Sequence, residues 1–302
     1  MADSLQHLVD DFLDYLTHQR RLSAHTINNY RRDLKQICDY CQRNEIDTWA
    51  SLNAKILRQF TAFLHRKGLS SRSIQRMLSA IRSFYQYLIK MELADNNPAQ
   101  AVQAPKAEKR LPSTLDVDQM NALLDHTTPD PFVACRDRAI MELFYSSGLR
   151  LAELAALDLR DIDFGDHLVH VTGKGNKDRV CPVGSKAIKA LQDWLDKRDQ
   201  TGFFDQPAVF ITQQGRRLGV RSIQKRLSFW GKKQGISDHV HPHRLRHAFA
   251  SHMLESSGDL RAVQELLGHS DISTTQIYTH VDFQHLAKVY DAAHPRAKKR
   301  SD

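Results

Sequence analysis

The sequence lacks the features that mark several classes of protein. No uninterrupted apolar run among its 302 residues approaches the roughly 18 needed to cross a bilayer. Four cysteines and 13 glycines are too few for a disulfide scaffold or a collagen-like repeat. The amino-terminal stretch is acidic and amphipathic, without the basic start and apolar middle of a secretory signal. These absences predict a soluble, cytoplasmic protein, and the length predicts two domains.

Cys38 and Cys41 have the C-x-x-C spacing of some metal and redox sites. They fall inside a helical pattern, however, and no second pair completes a zinc site. We therefore interpret both cysteines as helix residues with no metal or redox role.

Acidic residues are absent from residues 51–90, which carry eight basic side chains. Apolar residues recur there at helical spacing from Ile74 to Leu88, and the arginines fall largely on other faces of the helix. Solvated helix faces normally mix both signs of charge, so we expect this face to contact DNA phosphates. A basic face that is merely solvated is the alternative. The candidate DNA-binding residues are Arg58, Arg66, Lys67, Arg72, Arg76 and Arg82.

Most of the net charge of +8 lies in the part of the chain that contains residues 51–90, because residues 1–110 carry 17 basic and 11 acidic side chains. The rest of the chain carries 26 basic and 24 acidic side chains and is nearly balanced. A basic balance favours a polyanionic partner such as DNA.

The periodicity predicts a mainly α protein with two domains and a linker. Residues 1–94 predict a small helical bundle, with a helix cap within Ser23–Thr26 and a helix end at Gly68. Three prolines interrupt the pattern in residues 95–113, which we interpret as an exposed, basic linker. Residues 114–302 predict an α+β domain with a small antiparallel sheet, because two β-branched runs flank the turn Gly173–Lys177.

Five motifs of the second domain occur in the order found in tyrosine site-specific recombinases, with Tyr278 nine residues after His269. The resemblance covers essentially the whole chain and is strongest to the bacterial Xer recombinases. It implies a SAM-like core-binding domain before the linker and a catalytic domain after it. The motifs are Gly148-Leu149-Arg150, Gly173-Lys174-Gly175, His243-Arg244-Leu245-Arg246, Leu266-Leu267-Gly268-His269 and the segment from Ser273 to His280.

The resemblance implies that Tyr278 attacks a DNA phosphodiester and forms a 3′-phosphotyrosyl intermediate. His243 would accept the tyrosine proton, His269 would donate a hydrogen bond to a phosphate oxygen, and Lys174 would protonate the leaving 5′-oxygen. Two arginines would neutralise the phosphate through forked donors and, with the lysine, supply the positive charge, so no metal is needed. The phosphotyrosyl bond would conserve the energy of the phosphodiester, so the strands would rejoin without ATP. The implied catalytic residues are Arg150, Lys174, His243, Arg246, His269 and Tyr278, with Glu153 as an accessory residue.

Two other classes of function stay open from the residues alone. A non-catalytic helical DNA-binding or architectural protein would explain the charge but not the ordered motifs. A metal-dependent nuclease is the third reading, since His243 and His247 are four apart on a predicted helix. No carboxylate lies between these histidines and no H-E-x-x-H motif occurs, so we expect no metal.

The resemblance also implies partners. The substrate would be a double-stranded DNA recombination site, gripped by both domains, in the resolution of chromosome and plasmid dimers. A XerD-type recombinase would complete a heterotetramer, the FtsK translocase would regulate it, and no membrane would be involved. A helix after Phe283, with an apolar stripe of Leu286, Val289 and Tyr290, would dock into a neighbouring protomer or pack against its own domain.

Overall fold

The computed structural model describes residues 2–20, 22–106, 114–125, 130–173, 178–236, 240–267, 290 and 292–295. The chain divides into two compact units, residues 1–111 and 112–302. Among the residues described, no helix combines the length and the apolar character needed to span a membrane.

The first unit is helical, and its helices begin and end where capping residues allow. The Ser23 side chain accepts the backbone N–H of Thr26, and Gly68, with φ of +84°, follows the end of the third helix, so both predicted boundaries are confirmed. Trp49 Nε1 donates to the carbonyl of Leu5 at 3.1 Å inside the core. The helices are α1 (Ala2–His18), α2 (Ala24–Arg43), α3 (Ala54–Arg66) and α4 (Ser71–Lys90).

The segment that follows α4 packs against the first unit. Ala99 and Val102 are fully buried, and their carbonyls accept hydrogen bonds from Arg82 at 3.0 and 2.7 Å. Asn97 returns a bond from Nδ2 to the carbonyl of Arg82 at 3.0 Å. The expectation of an exposed segment is therefore wrong for these residues, because one arginine on α4 draws the backbone onto the bundle.

The second unit surrounds a buried helix with further helices and a small sheet. The helices are α5 (Val117–Leu124), α6 (Pro131–Ser147), α7 (Leu151–Ala156), α8 (Ser185–Asp199), α9 (Val220–Lys233), α10 (Pro242–Ser257) and α11 (Leu260–Leu267). The strands are β1 (Ile162–Asp163), β2 (Leu168–Thr172) and β3 (Asp178–Pro182), and they form an antiparallel sheet in this order.

The hairpin β2–β3 confirms the two strands expected around the glycine-rich turn. Val169 pairs with Cys181 and Val171 pairs with Arg179, and the three apolar members of these pairs are buried. Thr172 Oγ1 donates to Asp178 Oδ1 at 2.7 Å at the base of the turn, whose residues 174–177 lie outside the described residues.

Helix α6 forms the centre of the second unit and carries a buried carboxylate. Asp137 accepts hydrogen bonds from Arg136 at 3.0 and 3.2 Å, from Trp230 Nε1 at 2.8 Å and from Arg226 Nε. Two of these donors lie on α9, so the carboxylate fixes α9 against α6. A buried charge is tolerated here because its oxygens are bonded to several donors.

Tyr290 packs inside its own unit. It is 1% exposed, and its hydroxyl lies 2.6 Å from Ser146 Oγ at the end of α6. The alternative of packing within its own domain therefore holds for Tyr290 in this structure. Leu286 and Val289 lie outside the described residues, and docking of this segment into a neighbour stays a prediction.

Candidate active site

A sharp turn at Gly148 leads from α6 into α7 and places Arg150 at the start of α7. Gly148 has φ of +56°, in the left-handed region that favours glycine. A Cβ atom at this position would lie 2.5 Å from Cδ1 of Phe249, so a larger residue has no room. Leu149 is buried, whereas the Arg150 side chain is 35% exposed and reaches the surface.

Glu153 anchors Arg150 from the first turn of α7. Its Oε2 accepts the backbone N–H of Arg150 at 2.8 Å, and its Oε1 accepts Arg150 Nη1 at 2.8 Å. Burial raises the pKa of Glu153, but the hydrogen bonds from Arg179 and Arg150 outweigh burial and lower the pKa to about 2. Glu153 is therefore a fixed anion at neutral pH.

Arg179, on β3, is the residue of this site that the sequence analysis missed. Its side chain is 8% exposed and meets Glu153 with two hydrogen bonds, Nη1 to Oε1 at 2.7 Å and Nη2 to Oε2 at 2.8 Å. Burial lowers the pKa of Arg179, and the bonds to Glu153 outweigh burial and raise it. The register of the hairpin is the signal that could have identified Arg179. Arg179 pairs with Val171, a buried position, and paired residues of an antiparallel sheet lie on the same face.

Arg246, on α10, bonds to the turn at Gly148 and to the last residue of α11. Its Nη2 donates to the carbonyl of Leu267 at 2.6 Å, and its Nη1 donates to the carbonyl of Gly148. Burial, together with the positive charges of Arg150 and Arg179, lowers the pKa of Arg246 to about 10. The guanidinium is thus still protonated at neutral pH, and it lies close enough to Arg150 to be repelled by it.

His243 lies three residues before Arg246 on the first turn of α10 and is exposed. Residues three apart are neighbours on a helix surface, so α10 presents His243 beside Arg246. His247, the other histidine of the possible metal pair, lies one turn further on, and its Nδ1 is 3.2 Å from Ser251 Oγ.

The remaining implied catalytic residues, Lys174, His269 and Tyr278, lie outside the described residues. Of the set expected from the sequence, the structure brings together Arg150, Glu153 and Arg246 and adds Arg179 to them.

The candidate DNA-binding residues of the first unit fall into two groups. Arg76 donates to the fully buried Asp33 at 2.8 Å, and Arg82 holds the segment after α4, so both side chains serve the fold of the unit. The other four are exposed, and Lys67 lies 4.6 Å from the ring centroid of Phe63. These four are Arg58, Arg66, Lys67 and Arg72.

Helix α9 presents a further basic surface that the sequence analysis did not single out. No acidic residue occurs in Val220–Lys233, which is the same signal that marked residues 51–90. Four of its cations are exposed: Arg221, Lys225, Lys232 and Lys233.

Comparisons with known proteins identify the family. Residues 113–285 match the phage integrase family, and residues 9–92 match the SAM-like N-terminal domain of phage integrases. The chain belongs to the phage integrase family of tyrosine recombinases and is an enzyme of site-specific DNA recombination. Its sequence is similar to that of tyrosine recombinase XerC from Pseudomonas syringae pv. syringae, with 55% identity over 295 residues and 98% of each chain covered.

Solved structures share the fold. XerH recombinase bound to a palindromic difH substrate matches with a TM-score of 0.71 and 22% identity, over 96% of this chain and 84% of that chain. A λ integrase dimer bound to a core site matches with a TM-score of 0.67 and 19% identity, over 91% and 99%. The expected mainly α fold, with a SAM-like first domain and a small antiparallel sheet in the second, is confirmed.

Proposed function

We propose that this recombinase cuts and rejoins DNA through Tyr278, which forms a 3′-phosphotyrosyl bond and releases a 5′-hydroxyl. The observation that carries the proposal is a pair of guanidinium groups, Arg150 and Arg246, each held by hydrogen bonds within the protein. Glu153 holds the first, and the carbonyls of Gly148 and Leu267 hold the second. Two fixed guanidiniums suit a phosphodiester, because they neutralise its nonbridging oxygens and the charge that develops in the transition state.

The proton transfers need the other residues of the set. A free tyrosine titrates at about pH 10, so Tyr278 needs a base at neutral pH. We assign this role to His243, whose place beside Arg246 on α10 supports it. His269 donates a hydrogen bond to a phosphate oxygen, and Lys174 protonates the leaving 5′-oxygen. When the 5′-hydroxyl of another strand attacks, Lys174 takes the proton of that hydroxyl, the phosphotyrosyl bond breaks and His243 returns a proton to Tyr278.

Covalent trapping on nicked DNA tests this reaction. A nick beside the cleavage site lets the short 5′-hydroxyl fragment diffuse away, so the adduct accumulates. We expect the wild-type enzyme to form a labelled DNA–protein adduct that survives denaturation and EDTA, with the DNA on Tyr278 in a peptide map. Tyr278→Phe should give no adduct, whereas Tyr290→Phe, the matched control, should retain it.

The same experiment separates the alternatives. DNA retardation without an adduct would indicate a binding or architectural protein, and cleavage that EDTA abolishes would indicate a metal-dependent nuclease. Either result would contradict the proposed chemistry.

We propose that the enzyme works with a XerD-type recombinase as a heterotetramer on a double-stranded recombination site. In this role it would resolve chromosome and plasmid dimers in the cytoplasm under the control of the FtsK translocase. The similarity to XerC supports the assignment. On a plasmid with two sites, both recombinases should be needed, and Tyr278→Phe should block the exchange of one pair of strands only. Complete recombination by this chain alone would contradict the need for a partner.

We propose that the exposed cations of α3 and α4, and those of α9, lie along DNA phosphates. Each phosphate contact that is lost should reduce the slope of log affinity against log salt by about one. Arg58→Gln combined with Arg72→Gln should therefore weaken binding of a half-site and reduce the slope by about two. Arg160→Gln, at a side chain 84% exposed beside two acidic residues, is the control. An unchanged slope in the double variant would remove this surface from the DNA interface.

A further inference from the structure

Arg179 is a buried cation that the proposed reaction does not use. A buried guanidinium is destabilising unless it is paired with good geometry, and Arg179 is paired with both oxygens of Glu153. The two residues lie on different elements, β3 and α7. Arg179 thus joins the hairpin to α7, whose N-cap residue is Arg150.

Within the described part of the chain, four hydrogen bonds converge on the carboxylate of Glu153. Oε1 accepts Arg179 Nη1 at 2.7 Å and Arg150 Nη1 at 2.8 Å. Oε2 accepts Arg179 Nη2 at 2.8 Å and the backbone N–H of Arg150 at 2.8 Å. Each carboxylate oxygen therefore accepts one hydrogen bond from each arginine. The planar guanidinium of Arg179 fixes the plane of the carboxylate, and this plane determines where Glu153 can hold Arg150.

Arg150 is the arginine of this arrangement that reaches the surface. The Arg150 side chain is 35% exposed and reaches toward solvent, whereas Arg179 is enclosed. Without Arg179 the carboxylate would lose two of the four hydrogen bonds that described residues donate to it. It could then rotate, and Arg150 would move with it. A displacement of about 1 Å in a group that positions the substrate can lower a rate about 100-fold.

We propose that Arg179 is a positioning residue for strand cleavage: it fixes Glu153, and through Glu153 it fixes the guanidinium of Arg150 against the scissile phosphate. Arg179 touches neither the phosphate nor the attacking oxygen in this scheme. The inference rests on the proposed function, because it takes Arg150 as a phosphate-binding residue.

Single-turnover cleavage of the nicked substrate by Arg179→Met and Arg179→Lys, at saturating enzyme, tests the proposal. Arg179→Met should lower the cleavage rate about 10- to 100-fold and leave the half-site Kd within about twofold of wild type. Arg179→Lys should be intermediate, because one ammonium keeps the charge but cannot make the bidentate contact. Arg198→Met is the matched control, because Arg198 is another buried arginine of the unit and bonds to the carbonyls of Ala208 and Gln206.

A DNA substrate with a neutral phosphate distinguishes a positioning role of Arg179 from an effect of its substitution on folding. Replacing one nonbridging oxygen by a methyl group removes the negative charge that Arg150 is proposed to neutralise. Arg150→Ala and Arg179→Met should both regain most of the cleavage rate on this methylphosphonate DNA. On ordinary DNA, the double variant should be no slower than Arg150→Ala, because both changes remove the same interaction.

The outcomes are distinguishable. If Arg150→Ala cleaves ordinary DNA at the wild-type rate, the proposed function of Arg150 fails. If Arg150→Ala is slow while Arg179→Met is unaffected, or if Arg179→Met is equally slow on both substrates, only the positioning role fails. The positioning role also fails if Arg198→Met, compared at equal folded fraction, shows the same loss and the same rescue.

Discussion

Replacing Glu153 with Gln removes the carboxylate that Arg150 and Arg179 share. Hydrogen bonds from these arginines hold the pKa of Glu153 at about 2, against an ordinary value of 4.5, although burial alone would raise it. One pKa unit corresponds to about 1.4 kcal/mol, so the ionised carboxylate stabilises the folded protein by about 3 kcal/mol at pH 7. Glutamine has nearly the same volume but no charge, and its NH2 group would face a guanidinium. We expect Glu153→Gln to lose about 3 kcal/mol of unfolding free energy at pH 7.

The loss should depend on pH, and its direction follows from the lowered pKa. The stabilisation is complete above about pH 4.5 and is lost as the pH falls toward about 2, because Glu153 is then protonated in the folded state as well. The difference between the variant and the wild type should therefore shrink to roughly half of its pH 7 value at pH 3.

Urea unfolding at pH 7, 5, 4 and 3 measures this difference. Trp194 and Trp230 report on the second unit when both proteins carry Trp49→Phe in the first. Asp193→Asn, at an exposed position on α8, is the control and should change stability by less than about 0.5 kcal/mol. A difference below about 1 kcal/mol at pH 7, or one that stays constant down to pH 3, would refute the electrostatic account of this site.

Three further changes have expected outcomes. Gly148→Ala should destabilise the second unit by at least about 2 kcal/mol in urea unfolding, because it combines a strained φ with a collision with Phe249. Arg82→Met should lower the stability of the first unit by about 2 kcal/mol and increase proteolysis after α4, since two backbone carbonyls lose their donor. Tyr290→Phe should cost about 1 kcal/mol by removing the hydrogen bond with Ser146, and stability unchanged within error would contradict that bond.

Local chemistry made the elements predictable. Ser23 and Gly68 mark helix ends because a hydroxyl can accept a backbone N–H and glycine accepts a positive φ, and neither effect depends on the rest of the fold. The two strands of the hairpin were equally predictable from the sequence, since β-branched residues alternate on both sides of a glycine-rich turn. Strand β1, with two residues, has too short a pattern to be detected.

Contacts between distant residues were not predictable in the same way. The outward basic face expected on α4 includes Arg76, but that side chain bonds to Asp33, a partner 43 positions away. Arg179 was missed because its partner Glu153 lies 26 positions away and only the register of the hairpin directs the arginine inward. A helical wheel gives the direction of a side chain, but it does not show which charged residue from a distant part of the chain lies in that direction.

The described part of the candidate active site holds more positive than negative charge. Arg150, Arg179 and Arg246 surround the carboxylate of Glu153, and burial together with the other two arginines lowers the pKa of Arg246 to about 10. The folded enzyme thus bears an electrostatic repulsion that a phosphodiester at this position would relieve, and the transition state would relieve it further because more negative charge develops there. The exposed cations that we propose as phosphate contacts on the first unit would act differently: each would add a salt-dependent increment to DNA affinity, and none would need an exact position. Substitutions around Glu153 should therefore change the rate of cleavage, whereas substitutions on α3 and α4 should change DNA affinity.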